Sequence, residues 1–455
     1  MPQNWLSLPS YKEQRKSLLK EMTWLNLARL GAGAFDAIGG EVVNVVLFTI
    51  SNRSPSLGNM FTGVDASVSR SASIKAIEIT ESSLLIVDQG SQLRNPDARV
   101  SLEPTEASDL LEKYAAAYQG IKTGDDPRFR RFFWEVGSIR AGWKTIQGTT
   151  EKSQLFGGMQ GIVRWENEGR DLARLQGLAA WGKPGIAVSL MSDIRVALFS
   201  ADTFDSNVAV ITPKNSEHIA AVWSMCSTPE YPLAVKKLES GIKANSATAS
   251  KVPFDINRWR KTAEVEYPNG LPLPYSDDPT QWIFHGHPLL TVEPLHVAVA
   301  RLVGYVWPAE SNDKLELSDE AREWIARSKA LVAHADKGGI VCLPPVGREK
   351  AAADRLLNLL AAAYGPAWSN DVLAQLLKAA DHAGKSLETW LRDKFFTQHC
   401  TLFGNRPFVW HIWDGLRDGF AALVNYHKLD YKTLEALIYT YLGDWISRQR
   451  RDADN

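Results

Sequence analysis

The run Val42 to Ile50, VVNVVLFTI, constrains this chain more than any other stretch. A nearly unbroken apolar strand needs cover on both faces of its sheet, which is the habit of α/β proteins. The residues before it predict a neighbouring helix and strand. Tyr11 to Met22 reads as a helix with Ser10 as its cap and Leu18 and Leu19 on its apolar face. Trp24 to Leu30 reads as a strand, and the glycine-rich segment LGAGAFDAIGGE (Leu30–Glu41) lies between the two strands. Helix, strand, glycine-rich turn and buried strand make a fragment of an α/β sheet. They are too few for a complete doubly wound domain, which needs about five strands or more.

Residues 53–118 mix polar connection with short strands at Ile74 to Ile79 and Leu84 to Val87, then a helix at Glu106 to Tyr118. Residues 119–245 show short strand patterns with frequent turn signals (161–169, 185–199, 204–213) and end in helical sequence from 216. Residues 246–345 open with a Pro-, Tyr- and Trp-rich stretch, expected to be an ordered loop over a surface. Helices follow at Leu295 to Val306 and Leu315 to Ala335, with a short strand at Lys337 to Leu343. Residues 346–455 look mainly helical, ending in an amphipathic helix from Leu434 to Trp445 whose basic end (Arg448, Arg450, Arg451) suits its C-terminal dipole.

Composition excludes several classes. With 45% apolar and 23% charged residues, the chain is globular rather than disordered. Cys226, Cys342 and Cys400 are odd in number and far apart, which argues against a disulfide framework or a zinc ribbon and fits a cytoplasmic protein. No apolar run reaches the ~18 residues of a membrane span. The net charge of −1 means that any nucleic-acid contact must rest on locally concentrated basic residues. Sixteen tryptophans imply rigid cores or flat contact surfaces.

The chemistry is concentrated in QGIKTGDDPRFRRFFWEV, residues 119–136. Lys122, Thr123, Arg128, Arg130 and Arg131 stand among Phe129, Phe132, Phe133 and Trp134. Cations interleaved with flat rings suit a surface that grips a phosphate backbone and stacks on bases; the plainer alternative is a turn before a half-buried strand. The pattern Gly-x-x-Thr-Gly-Asp-x-x-Arg-Phe before aromatic-Glu-Val resembles the entry to the target-recognition region of large adenine-specific DNA methyltransferases. These belong to type II restriction–modification and BREX-type phage-exclusion systems.

Further blocks resemble the same family in the same order, from about Asn4 to Gln449. Gly157, Gly158, Arg164, Trp165 and Asn167 match a Gly-Gly segment followed by aromatic-Glu-Asn-x-Gly. There Asn167 is either a turn former or a reader of an adenine edge. Lys183-Pro184-Gly185-Ile186 and Phe204-Asp205 match two later strands, with Val188 where the family often has Trp. Gly404 to Gly415, with Arg406 before Pro407-Phe408, and Gly419 to His427 resemble the C-terminal block. Arg406 could grip phosphate there with His427 and Lys428 as helpers, or the segment could simply anchor the final helix.

The resemblance implies an α/β chain. It begins with the end of a class I methyltransferase (Rossmann-like) sheet over residues 1–52, followed by a connector and a mixed α/β target-recognition domain. A Pro/Trp-rich extension and a mainly helical C-terminal region complete it. The family transfers a methyl group from S-adenosylmethionine to adenine in double-stranded DNA. Yet the Asn/Asp-Pro-Pro-Tyr/Phe loop that holds the target amine is missing, since Asn95-Pro96-Asp97 and Asp278-Pro279-Thr280 have the wrong third residue. The first cofactor motif is missing too, and Leu30–Glu41 lacks the acidic residue expected about 20 positions on. No catalytic, cofactor or metal residue is assigned. His285 and His287 read as loop histidines without a third ligand, and Asp381-His382 with Ser386 lacks a nucleophile elbow. The expected role is DNA binding and target recognition, with methyl transfer supplied by a catalytic methyltransferase polypeptide and S-adenosylmethionine not held by this chain alone. The alternatives are a self-contained enzyme using Leu30–Glu41 as its cofactor loop, and a decayed fragment.

Overall fold

The computed structural model describes residues 1–35, 44–69, 71–102, 109–139, 142–191, 193–239 and 244–454. The chain divides into two compact units. The first comprises Met1–Ala117, Leu190–Asp193 and Pro213–Thr262; the second comprises Tyr118–Ser189, Ile194–Thr212 and Ala263–Asn455. Both mix small sheets with helices, and residues 1–117 share one unit across the expected boundary at residue 52.

The first unit is built on strands β1 (Thr23–Gly31), β2 (Val45–Ser51), β3 (Met60–Asp65) and β4 (Leu85–Asp88), in the order β2-β1-β3-β4. β1 pairs antiparallel with β2 and parallel with β3, and β3 pairs antiparallel with β4. Because side chains alternate, Val46, Phe48, Leu27, Phe61 and Val87 share one face. They pack with Trp5, Trp24 and Leu19 of the helix Lys12–Glu21. Arg15 is buried in this layer, and its guanidinium donates to the carbonyls of Trp5, Leu8, Asp97 and Ala98. Four of its five fixed donors thus close the turns around 5–8 and 97–98, a task no apolar residue could do.

Several expectations change here. The opposite face of the sheet carries Asn26, Thr49 and Thr62 in one row with Ile86, and Leu47 beside them. Leu47 is 52% exposed and Ile86 71%, so β2 beyond Val45, which packs with Leu30 and Ala66, is covered on one face rather than two. Residues 42 and 43 of the expected strand and 36–41 of the glycine-rich loop lie outside the described residues. Ser10 is not the helix cap; the helix begins after Tyr11 with no side-chain cap bond. Ile74–Ile79 is part of a helix, Ala72–Glu81, not a strand. Its three isoleucines suggest β structure, but Ile74 and Ile77 are exposed while Lys75 is buried and donates to the carbonyls of Leu30 and Ala66. A tertiary anchor overrides β propensity there.

The helix expected from Glu106 is also absent where it is described. Residues 106–108 lie outside the described residues, 111–113 form a single 3-10 turn, and β5 (Ala115–Gln119) is extended. The turn is fixed by Asp109, which takes the Lys113 ammonium at 2.7 Å and the Tyr114 hydroxyl at 2.8 Å. Conversely, the stretch read as loop contains the helix Ile256–Glu266. Asp255 accepts from the backbone N–H of Asn257 and Arg258, an N-cap that the sequence DINRWRKTA advertised.

The second unit holds two four-stranded sheets and a three-stranded one. β6 (Arg130–Phe132), β7 (Trp143–Gln147) and β8 (Gly161–Arg164) form one with β11 (Thr203–Phe204), in the order β11-β7-β8-β6. β9 (Gly185–Ser189), β10 (Val196–Phe199) and β12 (Val208–Pro213) form another with β5, in the order β10-β9-β12-β5, and β9 and β12 are buried along their whole length. β13 (Ile340–Cys342), β15 (Ala421–Asn425) and β14 (Val409–Trp413) form the third, with β15 central. Trp282, Trp307 and Trp390 are 0–1% exposed in the main core, joined by the helices Pro294–Leu302, Ala352–Tyr364 and Phe395–Leu402. His285 and His287 pack against Trp324 in this core (centroids 5.8 and 5.0 Å). Among the described residues no group of three His, Cys, Asp or Glu could hold a metal ion. Among the described residues no helix is long and apolar enough to cross a membrane.

Candidate nucleic-acid interface

The Arg/aromatic motif folds into three short pieces. Asp125 caps the single-turn helix Asp126–Phe129 by accepting from the Arg128 N–H. The chain then runs through β6 and ends in the 3-10 turn Phe133–Glu135, where the Glu135 carboxylate accepts from the Phe132 N–H at 2.8 Å. Arg130 pairs with Asp205 and lies 3.7 Å from Asp126. Arg131 donates to the carbonyls of Pro127 and Arg130. These two line a cleft of about 730 Å³ with Arg406, Asp126, Glu135, Asp205, Gln160 and Thr149. Arg406, 65% exposed, faces Glu135 at 3.6 Å. The cleft therefore sets three guanidiniums against three carboxylates.

Two glycines shape its wall. The Gly148 N–H donates to the Gly158 carbonyl at 2.8 Å. Gly158 has φ +72°, and a Cβ there would lie 2.3 Å from the Gly148 oxygen. Only glycine allows both the left-handed turn and this approach.

Other residues named from sequence serve packing. Trp134 is 1% exposed; Phe132 stacks on it at 4.5 Å, and Phe133 and Phe403 meet it edge-on. It has no free face for a base and is a core residue. Thr123 is buried, and its hydroxyl is bound by Asp126. Asn167 has φ +49°, and its amide donates to Asp171, so it sits in a left-handed turn. His427 bonds the Trp134 carbonyl at 2.9 Å, and Lys428 donates to the carbonyls of Asp336 and Lys337. Neither helps Arg406. Desolvation lowers the affinity of both for protons.

A different group of cations stands free. Lys122, Arg128, Arg174 and Lys183 are exposed, and among the described residues none makes an ion pair. Their segments surround one apolar cluster of Ile121, Phe129, Val163 and Leu172, with Trp165 and Trp181 packed against it. Lys122 and Arg174 face each other across a backbone bridge, and the Arg128 guanidinium lies 4.7 Å from the Phe129 ring centroid. The Lys144 ammonium lies 4.3 Å from the centre of Trp165 and 5.0 Å from that of Trp181. Arg164 is paired with Glu166 at 2.6 Å. Residues 118–189 carry eleven Lys and Arg against seven Asp and Glu, an excess of positive charge in a chain of net charge −1. Lys144, Arg174 and Trp181 escaped the sequence reading. Their only signal was Lys183 two residues after Trp181 in a Trp-Gly-Lys-Pro turn.

No family model matches the chain. It is 20% identical to the adenine-specific methyltransferase PglX of Lacticaseibacillus casei (strain Zhang) over 558 residues, which cover 96% of this chain and 46% of that protein. Among solved structures, a nuclease-deletion mutant of the Type ISP restriction–modification enzyme LlaGI, in complex with a DNA substrate mimic, matches 57% of this chain and 29% of its own. Its TM-score is 0.33 at 10% identity. The Type IIL restriction–modification enzyme MmeI, in complex with DNA, matches 80% and 46%, with a TM-score of 0.29 at 9% identity. The chain spans about half the length of the curated relative it matches. The resemblance that the motifs carry, to an adenine-specific methyltransferase of the restriction–modification and BREX kind, thus holds over nearly the whole chain.

Proposed function

We propose that this chain is a DNA-binding and target-recognition component for adenine-specific DNA methylation in a restriction–modification or phage-defence system. The observation that carries this is the set of unpaired cations, Lys122, Arg128, Arg174 and Lys183, around Trp165 and Trp181. Free cations on a surface release counterions when they meet phosphate, which is the main source of affinity for a duplex. Arg130, Arg131, Arg164 and Arg406 are secondary contacts, since each already has a partner. The similarity to an adenine-specific methyltransferase supplies the reaction class.

The first unit takes the role of the end of a class I methyltransferase sheet. Its exposed sheet face, with Leu47 and Ile86, and the outer edge of β2 beyond Val46, where the bridge from Pro2 to Val45 ends, support a catalytic methyltransferase polypeptide as partner. S-adenosylmethionine belongs to that partner in this reading. The test is duplex-DNA binding by the full chain at two salt concentrations. Binding that weakens steeply with salt supports the proposal, and no binding at low salt overturns it. Calorimetric titration with S-adenosylmethionine separates it from the self-contained enzyme, since heat from this chain alone would favour the latter.

A further inference from the structure

Lys144 differs from the cations around it. Its ammonium lies over two indoles from separate segments, Trp165 at the end of β8 and Trp181 before the Lys183 turn. The rings meet edge-to-face, 5.4 Å between centroids at 68°, so they leave no parallel-walled slot between them. Trp165 is held in place. Gly169, at φ +77°, packs so closely on it that a Cβ would lie 2.7 Å from the ring. Lys144 is not held: among the described residues its ammonium has no hydrogen bond and no ion pair, only the two rings. A fixed aromatic ring is thus covered by a charged group on a flexible stem.

We infer that Trp165 and Lys144 form a nucleotide-binding position, in which an unpaired base stacks on Trp165 while Lys144 moves to that nucleotide's phosphate. This rests on the DNA-binding reading above and names the groups that act when a base leaves the stack. A cation–π contact at a partly exposed site is weak, whereas an ammonium–phosphate contact is a charge-assisted hydrogen bond. A base has a π-face whatever its identity, so it can replace the ammonium on the indole without sequence preference. Trp181 keeps its edge-to-face contact with Trp165 in both states.

The experiment uses the full chain with two probes, a fully paired mixed-sequence duplex and the same duplex with one extrahelical nucleotide. Lys144→Met keeps the stem and removes the charge. Wild type is expected to bind the extrahelical probe about tenfold more tightly. Lys144→Met is expected to lose that preference and to lower the salt slope by about one contact. Trp165→Leu is expected to abolish the preference at an unchanged slope; should it fail to fold, Lys144→Met still decides. Equal binding of both probes by wild type, or an unchanged preference and slope in Lys144→Met, overturns the inference and leaves Lys144 a packing group. Lys183→Glu is the control. If it weakens binding while Lys144→Met does not, this inference alone falls; if wild type binds neither probe, the DNA-binding reading falls with it.

Discussion

Arg130, Arg131 and Arg406 line a cleft that holds as many carboxylates as guanidiniums, whereas Lys122, Arg128, Arg174 and Lys183 stand without ion pairs around a tryptophan cluster. Both sets come from the second unit, and Arg130, Arg131 and Arg406 of the first and Lys122 and Arg128 of the second entered the sequence reading as phosphate grips. The difference is what a DNA phosphate would have to displace. At the cleft it competes with Asp205 or Glu135, partners that are already in place and partly desolvated. At the tryptophan face it displaces only solvent and counterions. A free cation counts toward binding, and a paired one counts mainly toward the fold.

The comparison breaks most readily under charge reversal. Lys122→Glu, Arg128→Glu and Lys183→Glu together are expected to cut duplex affinity on the order of a hundredfold at low salt and to flatten its salt dependence. Gel-shift or anisotropy titrations read both effects. Arg130→Ala should act on folding instead. It leaves the buried Asp205 carboxylate without its cation, a loss of about 2 kcal/mol after discounting for the partial exposure of Arg130, read as a lower midpoint in urea unfolding. A full-strength binding defect in a well-folded Arg130→Ala would erase the distinction between the two sets. Gly158→Ala, with its Cβ forced onto the Gly148 carbonyl, sharpens the same point. It should cost about 1–3 kcal/mol and leave the salt slope of binding intact.

The smallest expected effect is a pH dependence of stability. His296 stacks on Phe395 and His399 in the main core, and burial holds it down to about 4. The unfolded chain takes up that proton near pH 6.5, so between about 6.5 and 4 the unfolded state binds more protons than the folded one. The stabilisation is therefore complete above about pH 6.5 and is lost as pH falls toward 4. A melting temperature that declines over this window in wild type, and less in His296→Gln relative to its own value at pH 7, is the expected result.

How much of this was legible depends on what each residue touches. The buried strands β9 and β12 announce themselves through unbroken apolar runs, and the helical stretch 431–454 through its amphipathic spacing, although Ala436–Leu442 within it is wound as a π-helix. The helix at 72–81 did not, because Ile74 and Ile77 point outward and a buried lysine anchors it. Ile256–Glu266 was hidden by the prolines and tyrosines around it, although Asp255 and the spacing of Ile256, Trp259 and Ala263 carried the signal. The site was half legible. Sequence located the Arg/aromatic motif, but the pairing of Arg130 with Asp205 spans 75 residues, and the edge-to-face contact of Trp134 with Phe403 lies between segments far apart in the chain. No local pattern reports either, so sequence could not tell a free charge from a spent one.

The central claim is that the unpaired face binds DNA and the paired cleft does not dominate. The most direct measurement is the slope of log affinity against log salt for a mixed-sequence duplex, compared between Lys122→Glu/Lys183→Glu and Arg406→Gln. The account predicts a slope shallower by about two contacts in the first and nearly unchanged in the second. A slope that falls with Arg406→Gln and holds with Lys122→Glu/Lys183→Glu would contradict it.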